Sequence, residues 1–394
     1  MTIIDQYADF VFGLTKGSRK YHSFCFVALL SGLLEKRVWI DRGLAGKTFP
    51  NIFVILVGFP GISGKTTAIN IAFNAGKLAD LKLSLCSDKT TPAALLTELS
   101  NCKRTFEFEG QLIEQSFLFA KAGELASLVE DIGGGSMFSD LIVFYDAPED
   151  TFQKNTIKSG FLLITNGGLT ILGATTPDYL ERDIPKSTNS YGLLSRFMFV
   201  VESGAVEKLS HPITEFEIPY EILNTMKIAA SVSGPIEWSL SGQKRFDEIF
   251  REIDKKLIEY SGVIRTLRAR DQTHILKLSM IFGAIDGMLI RREHVDAAFE
   301  LFKTGSEGIV EAFGVRHAHR DPSLMFNVLS CIPYQPSKIS ESQLLTKLFK
   351  SGYAIPKGYD FKAIIDGLVA MRSIKTFVEG KDIWFTKLKG EMND

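Results

Sequence analysis

The sequence predicts an α/β fold built round a phosphate-binding loop, and three observations carry that expectation. The run Phe53-Val54-Ile55-Leu56-Val57 is apolar without alternation and leads into Gly58-Phe59-Pro60-Gly61-Ile62-Ser63-Gly64-Lys65-Thr66-Thr67, the pattern of a strand covered on both faces, a glycine-rich loop and a helix start. Further apolar strand candidates recur at about 116–122, 169–174 and 197–201 with helical stretches between them, which argues for a sheet layered with helices. From residue 236 the period changes, with Phe246, Ile249, Phe250, Ile253 and Leu257 spaced for one face of a helix.

Composition sets the limits. The chain has 394 residues, 45% of them hydrophobic, enough for two or three domains and a sizeable core. Lys+Arg of 45 against Asp+Glu of 46 leaves a net charge of −1, so any contact with nucleic acid must come from a local basic surface. Cys25, Cys86, Cys102 and Cys331 lie far apart without C-x-x-C or Cys/His spacing, which points to neither a zinc site nor a disulfide framework and fits a reducing cytoplasm. The apolar runs are too short or too interrupted for a bilayer span, and no signal peptide opens the chain, so no membrane partner is expected.

Taken in order, residues 1–47 form a helical leader around Phe24–Leu34 followed by a short strand at Arg37–Ile40. Residues 48–215 carry the phosphate loop and the strand–helix alternation, and 236–318 a helical domain. The tail, 322–390, shows helices near 323–332, 340–350 and 360–373, then two alternating strands meeting at Glu379-Gly380-Lys381. Three helices and a hairpin describe a winged helix, which sets Lys362, Arg372 and Lys375 near a DNA-reading helix and Lys381 on the wing. A protein-interaction cap is the competing reading of this tail.

The loop is a candidate nucleotide site because Gly58, Gly61 and Gly64 let backbone N–H groups face anionic oxygens, with Ser63 and Thr67 beside them. Lys65 would reach the β- and γ-phosphates of ATP and Thr66 would hold Mg²⁺. The strict motif places glycine at 59, where the chain has phenylalanine, so the loop is one residue longer and starts at Gly58. Hydrolysis further requires a carboxylate to orient water and a cation for the developing charge. Glu124, after the strand candidate 116–122, is the expected carboxylate; Asp146, after Leu141-Ile142-Val143-Phe144-Tyr145, read as a strand, is its rival. The strand 169–174 carries Thr175 and Thr176 at its tip, and Arg196 stands just before the strand 197–201, a candidate arginine finger.

The run Asn155–Gly168, then Gly173-Ala174-Thr175-Thr176-Pro177, then Leu193-Leu194-Ser195-Arg196-Phe197, resembles the hairpin, sensor-1 and arginine-finger sequence of MCM-type AAA+ helicases. Arg270–Ser279 and Arg292–Ala298 resemble the sensor-2 helix and last lid helix of that group. The chain is similar, over roughly 20–315, to a broad family of P-loop helicase-like proteins of phages, plasmids and integrated elements. It departs from the MCM pattern in its longer loop, in Gly123 where an aspartate is usual and in threonine at sensor 1, and it lacks the MCM N-terminal DNA-binding module.

The resemblance implies an α/β, AAA+-like P-loop NTPase core with a helical leader, a helical lid and a C-terminal winged helix. It implies roles for Thr176 at sensor 1, for Arg196 as a finger acting on a neighbouring subunit, for Arg270 at sensor 2, and for Lys158 at the top of a DNA-contacting hairpin. The expected activity is ATP hydrolysis coupled to translocation on, or unwinding of, single-stranded DNA by a hexameric homo-oligomeric ring, in replication of a phage or mobile element. A primase or replication initiator is the expected protein partner. The alternative is an AAA+ ATPase that is not a helicase: a loader, a transposition or defence regulator, or a DNA-remodelling switch. A metabolic P-loop kinase would use Lys65 without a ring, and the helical region and tail argue against it.

Overall fold

The computed structural model describes residues 2–86, 92–122, 136–147, 149, 151–156, 160–182, 192–202, 206–211, 213–260, 262–309, 322–334, 337–351, 361–370, 374–379 and 382–387. It is a mixed α/β structure with a parallel-rich sheet. In chain order the first unit contains α1 (Ile3–Thr15), α2 (Arg19–Leu34), β1 (Val38–Asp41), β2 (Lys47–Thr48), β3 (Phe53–Gly58), α3 (Lys65–Leu78), α4 (Pro92–Asn101), β4 (Lys103–Phe108) and β5 (Gln111–Ala122). There follow α5 (Ser136–Asp146), β6 (Phe152–Thr156), β7 (Gly160–Ile164), β8 (Gly167–Thr175), α6 (Pro177–Arg182), β9 (Phe197–Glu202) and α7 (Tyr220–Ser231). The unit closes with β10 (Gly234–Pro235), β11 (Glu237–Trp238), α8 (Leu240–Glu259), α9 (Gly262–Arg268), α10 (Asp271–Ala284), β12 (Leu289–Ile290) and α11 (Arg292–Ser306).

Five strands form the main sheet in the order β4-β5-β8-β3-β9, with β5, β8, β3 and β9 parallel and β4 antiparallel at one edge. Every residue of β3 and of β8 is buried, as a strand covered on both faces requires, and this is why their apolar runs do not alternate. β4 returns into β5 through Glu109 and Gly110, at φ 51° and 75°, the left-handed pair that a two-residue hairpin needs. β6 and β7 form a separate antiparallel pair.

The segment 141–146 is a helix, where its apolar run suggests a strand. Leu141, Phe144 and Tyr145 are buried, a spacing of three and four that puts them on one helical face, and so short a run satisfies either period.

α2 is buried along its whole length from Tyr21 to Leu34, so it has no solvent face and must be enclosed on all sides. It packs on α1, α3 and α7 and against β8 and β3. The approach is close: a Cβ on Gly32 would stand 2.5 Å from the ring of Phe119. α10 is likewise buried, from His274 to Ala284 without interruption. Residues of α1–α3, the sheet, α7, α8, α10 and α11 all belong to one apolar cluster. The leader, the sheet and the helices after 236 are therefore parts of one compact unit, Met1–Ile309, rather than separately packed bodies.

The second unit, Val310–Asp394, contains α12 (Pro322–Cys331), β13 (Ile339–Ser340), α13 (Glu341–Lys350), α14 (Phe361–Ala370), β14 (Ile374–Glu379) and β15 (Asp382–Lys387). Its strands pair antiparallel in the order β13-β15-β14. Its own core gathers Val328, Ile332, Leu344, Leu348, Ile364 and Phe385. Among the described residues, no helix is long and apolar enough to cross a membrane.

Candidate functional site

The glycine-rich loop leaves the carboxyl end of β3, beside the carboxyl ends of β8 and β9. Val57 pairs with Thr175, and Gly58 with Glu202. This is the end of an open parallel sheet where ligands bind. Gly61 and Gly64 have φ of 72° and 70°, conformations open to glycine at little cost. Gly64 is the N-cap of α3 and supplies no side-chain cap, so the first-turn N–H groups of Lys65, Thr66 and Thr67 point out of the helix end towards any anion seated there. Thr66 and Thr67 are exposed. Lys65 Nζ is folded over the loop, donating to the carbonyls of Gly58 and Phe59 and to Ser63 Oγ at 3.1 Å. Ser63 is buried and its hydroxyl donates to Phe59 O at 2.8 Å. This donor-rich cradle fits phosphate oxygens, with the Thr66 hydroxyl available to one position on a divalent cation. Among the described residues, no cluster of three His, Cys, Asp or Glu side chains could hold a metal by itself, so a cation here would take most of its ligands from phosphate and water.

Two braces hold the cradle, and the loop's own sequence announces neither. From the start of α2, Tyr21 Oη donates to Val57 O at 2.7 Å and Ser18 Oγ to Glu202 Oε2 at 2.7 Å. Burial pushes the Tyr21 phenol well above its ordinary value, so it stays a neutral donor. Gly58 lies so close that a Cβ there would stand 2.6 Å from Tyr21 Oη and 2.7 Å from Ser63 Cβ. On the outer edge, Val206 N donates to Ile62 O at 3.2 Å and Lys208 Nζ to Gly61 O.

Thr176, at the tip of β8, accepts a hydrogen bond from Tyr179 N at 3.2 Å, which caps α6. Glu124 lies outside the described residues, the last of its strand being Ala122, opposite Gly173 of β8.

The other arginine and carboxylate candidates gather at the opposite end of the sheet. Phe53 pairs with Phe197 and Gly58 with Glu202, so Arg196 stands six residues before the level of Gly58, roughly 20 Å along the strands at 3.3 Å per residue. Arg196 is only 7% exposed; it donates to Gly192 O at 2.7 Å and to Asp146 Oδ2 at 2.6 Å. Arg270, the residue before α10, donates to Asp146 Oδ1 at 3.2 Å. Asp146 is thus remote from the phosphate loop of its own chain, which removes it as the water-orienting acid there. Arg196, the candidate finger, is enclosed and bound within its own chain, and Arg270 is the more accessible of the two.

Beneath this triad lies a buried polar network. The Tyr145 ring stands 5.9 Å from the guanidinium carbons of both Arg196 and Arg270 and 4.1 Å from Lys277 Nζ. Lys277 donates to Asn51 O, Asn51 Oδ1 and Tyr145 O at 2.9, 2.8 and 3.0 Å, and burial lowers its pKa to about 7. His274 bonds with Tyr145 Oη at 3.1 Å and Ser195 O at 3.0 Å, and burial pushes it down to about 3. Lys36 donates to Ala147 O at 2.9 Å, its pKa also lowered to about 7 by burial.

Of the DNA candidates, Lys158, Arg372 and Lys381 lie outside the described residues. Lys362 is in α14, and Lys375 is exposed on β14. No family model matches the chain, and no curated protein matches it either.

Proposed function

We propose that the chain is an ATPase of the AAA+ type that assembles as a homo-oligomeric, hexameric ring and uses ATP hydrolysis to move along or unwind single-stranded DNA in the replication of a phage or mobile element. The observation that carries the reading is the separation of two half-sites: a phosphate cradle at one end of the sheet and two arginines at the other, roughly 20 Å away. An arginine so placed can meet a phosphate only in another copy, and head-to-tail half-sites of this kind close into rings where the rotation between copies permits.

On this reading Lys65 neutralises the β- and γ-phosphates, Thr66 takes a position on Mg²⁺, Glu124 orients the attacking water and Thr176 senses the γ-phosphate. Arg270, backed by Arg196, reaches the neighbour's nucleotide. The second unit, with three helices and a three-stranded sheet, is read as a winged helix whose Lys362, Arg372, Lys375 and Lys381 attract nucleic-acid phosphates, while Lys158 serves the β6–β7 hairpin in the same way.

The test is subunit mixing. Lys65→Ala and Arg270→Ala proteins, each inactive alone, should regain ATP turnover when mixed, because one supplies an intact cradle and the other an intact arginine. Purely additive activity in an assembly shown to exchange subunits refutes the interface. ATP-dependent strand separation on a forked substrate then divides the helicase from the loader or switch.

A further inference from the structure

We propose that Asp146 is a positioning residue: it holds Arg270 at the setting from which this arginine meets a phosphate bound by a neighbouring copy. The inference rests on the ring-ATPase reading above.

The backbone that carries Asp146 is fixed by three buried side chains from separate parts of the chain. Asn51 Nδ2 donates to Phe144 O at 3.1 Å and Tyr145 O at 3.0 Å, Lys277 Nζ donates to Tyr145 O at 3.0 Å, and Lys36 Nζ to Ala147 O at 2.9 Å. Ala147 itself has φ 49°, which stops the helix directly after Asp146. The peptide units on both sides are thus anchored, and the side chain between them stays 44% exposed. A carboxylate on so constrained a backbone is a fixed acceptor for whatever docks on it.

Two guanidiniums dock on it, one per oxygen. Arg196 is the enclosed one, held a second time by Gly192 O. Arg270 is different: its side chain is 30% exposed, and among the described residues Asp146 is its one hydrogen-bond acceptor. A guanidinium has five N–H donors; one faces Asp146, and the others remain for an incoming anion. Charge points the same way. Neutralising Asp146 takes one arginine, yet two share it, so the site keeps a surplus of positive charge at a half-open surface. A phosphate of a nucleoside triphosphate would complete the balance through charge-assisted bonds.

Asparagine at 146 keeps the shape but turns an NH₂ donor towards one of the two guanidiniums, so Arg270 loses its setting. Because a finger acts on the transition state, Asp146→Asn should lower kcat about ten-fold or more while KM for ATP moves less than about three-fold. Asp146→Glu should recover part of the loss.

The deciding experiment mixes Asp146→Asn protein with each of two partners. With Lys65→Ala it should regain turnover, since about a quarter of the interfaces in a randomly mixed ring then join an intact cradle to an intact arginine pair. With Arg270→Ala it should regain none, because both lack the same half-site. The rescue also shows that the variant folds and binds ATP. Rescue by Arg270→Ala, rescue by neither partner, or wild-type kcat in Asp146→Asn alone each overturns the proposal while the ring reading stands. Failure of Lys65→Ala and Arg270→Ala to rescue one another overturns the ring reading, and this proposal with it.

Discussion

The contact between Tyr21 and Gly58 can be tested as a thermodynamic cycle. Tyr21→Phe keeps the ring and removes the hydroxyl that donates to Val57 O at 2.7 Å; loss of one buried hydrogen bond should cost about 1 kcal/mol. Gly58→Ala introduces a Cβ 2.6 Å from that hydroxyl and 2.7 and 2.8 Å from Ser63 Cβ and Oγ, overpacking that costs about 2 kcal/mol. Independent effects would sum to about 3 kcal/mol, but in the double variant the hydroxyl is gone and only the Ser63 clash remains. The double should therefore cost about 2 kcal/mol, a coupling of about 1 kcal/mol that neighbours in contact can show. Urea unfolding in a Trp384→Phe background reads this cleanly, since Trp39 and Trp238 then report the larger unit alone. A fluorescent ATP analogue should bind more weakly to Gly58→Ala than to Tyr21→Phe, because the methyl group displaces Ser63 and with it the loop that faces the phosphates. Additivity within about 0.3 kcal/mol would mean that the loop relaxes away from Tyr21 freely, and the brace would be refuted.

Three other outcomes are expected. Glu124→Gln should bind ATP with near wild-type affinity and lose turnover about a hundred-fold or more, since the amide cannot orient water as a base; single-turnover hydrolysis checks it, and an active variant removes Glu124 from the site. Thr176→Asp should keep the α6 cap and stability to within about 0.5 kcal/mol, while its charge at the strand tip blocks ATP binding; unchanged binding would leave Thr176 a cap alone. His274, held neutral with a pKa lowered to about 3, takes up a proton more readily in the unfolded chain, so its contribution to stability is present above pH 6.5 and lost as pH falls towards 3. The loss should approach about 1.4 kcal/mol per pH unit, and urea midpoints at pH 7 and pH 5 should separate more for the wild type than for His274→Gln; parallel shifts would contradict the assignment.

What the sequence makes legible follows from the range over which each feature is written. The cradle is local: glycines that need positive φ, a lysine and a helix start lie within eight residues of one another, and β3 and β8 declare themselves because both faces are buried. Asp146 defeats local reading, because its meaning comes from Arg196 and Arg270, 50 and 124 residues away, and its helix hides in an apolar run that also suits a strand. Tyr21 gives no hint of its bond to Val57, 36 residues on. His274 and Lys277 are polar side chains that the helical pattern leaves unassigned, yet both are buried, satisfied by oxygens of distant segments at Ser195, Asn51 and Tyr145.

The enclosure of α10 has a mechanical consequence. To swing this helix away from the sheet would tear Lys277 from three oxygens, strip His274 from Tyr145 and Ser195, and wet an apolar seam that runs into α2. Buried polar groups left without partners cost about 1–3 kcal/mol each, so a hinge at this place would work against several such losses at once. Among the described residues, α10 thus moves with the sheet and α2 as one body, and on the proposed ring reading a stroke would appear as one copy rotating against the next.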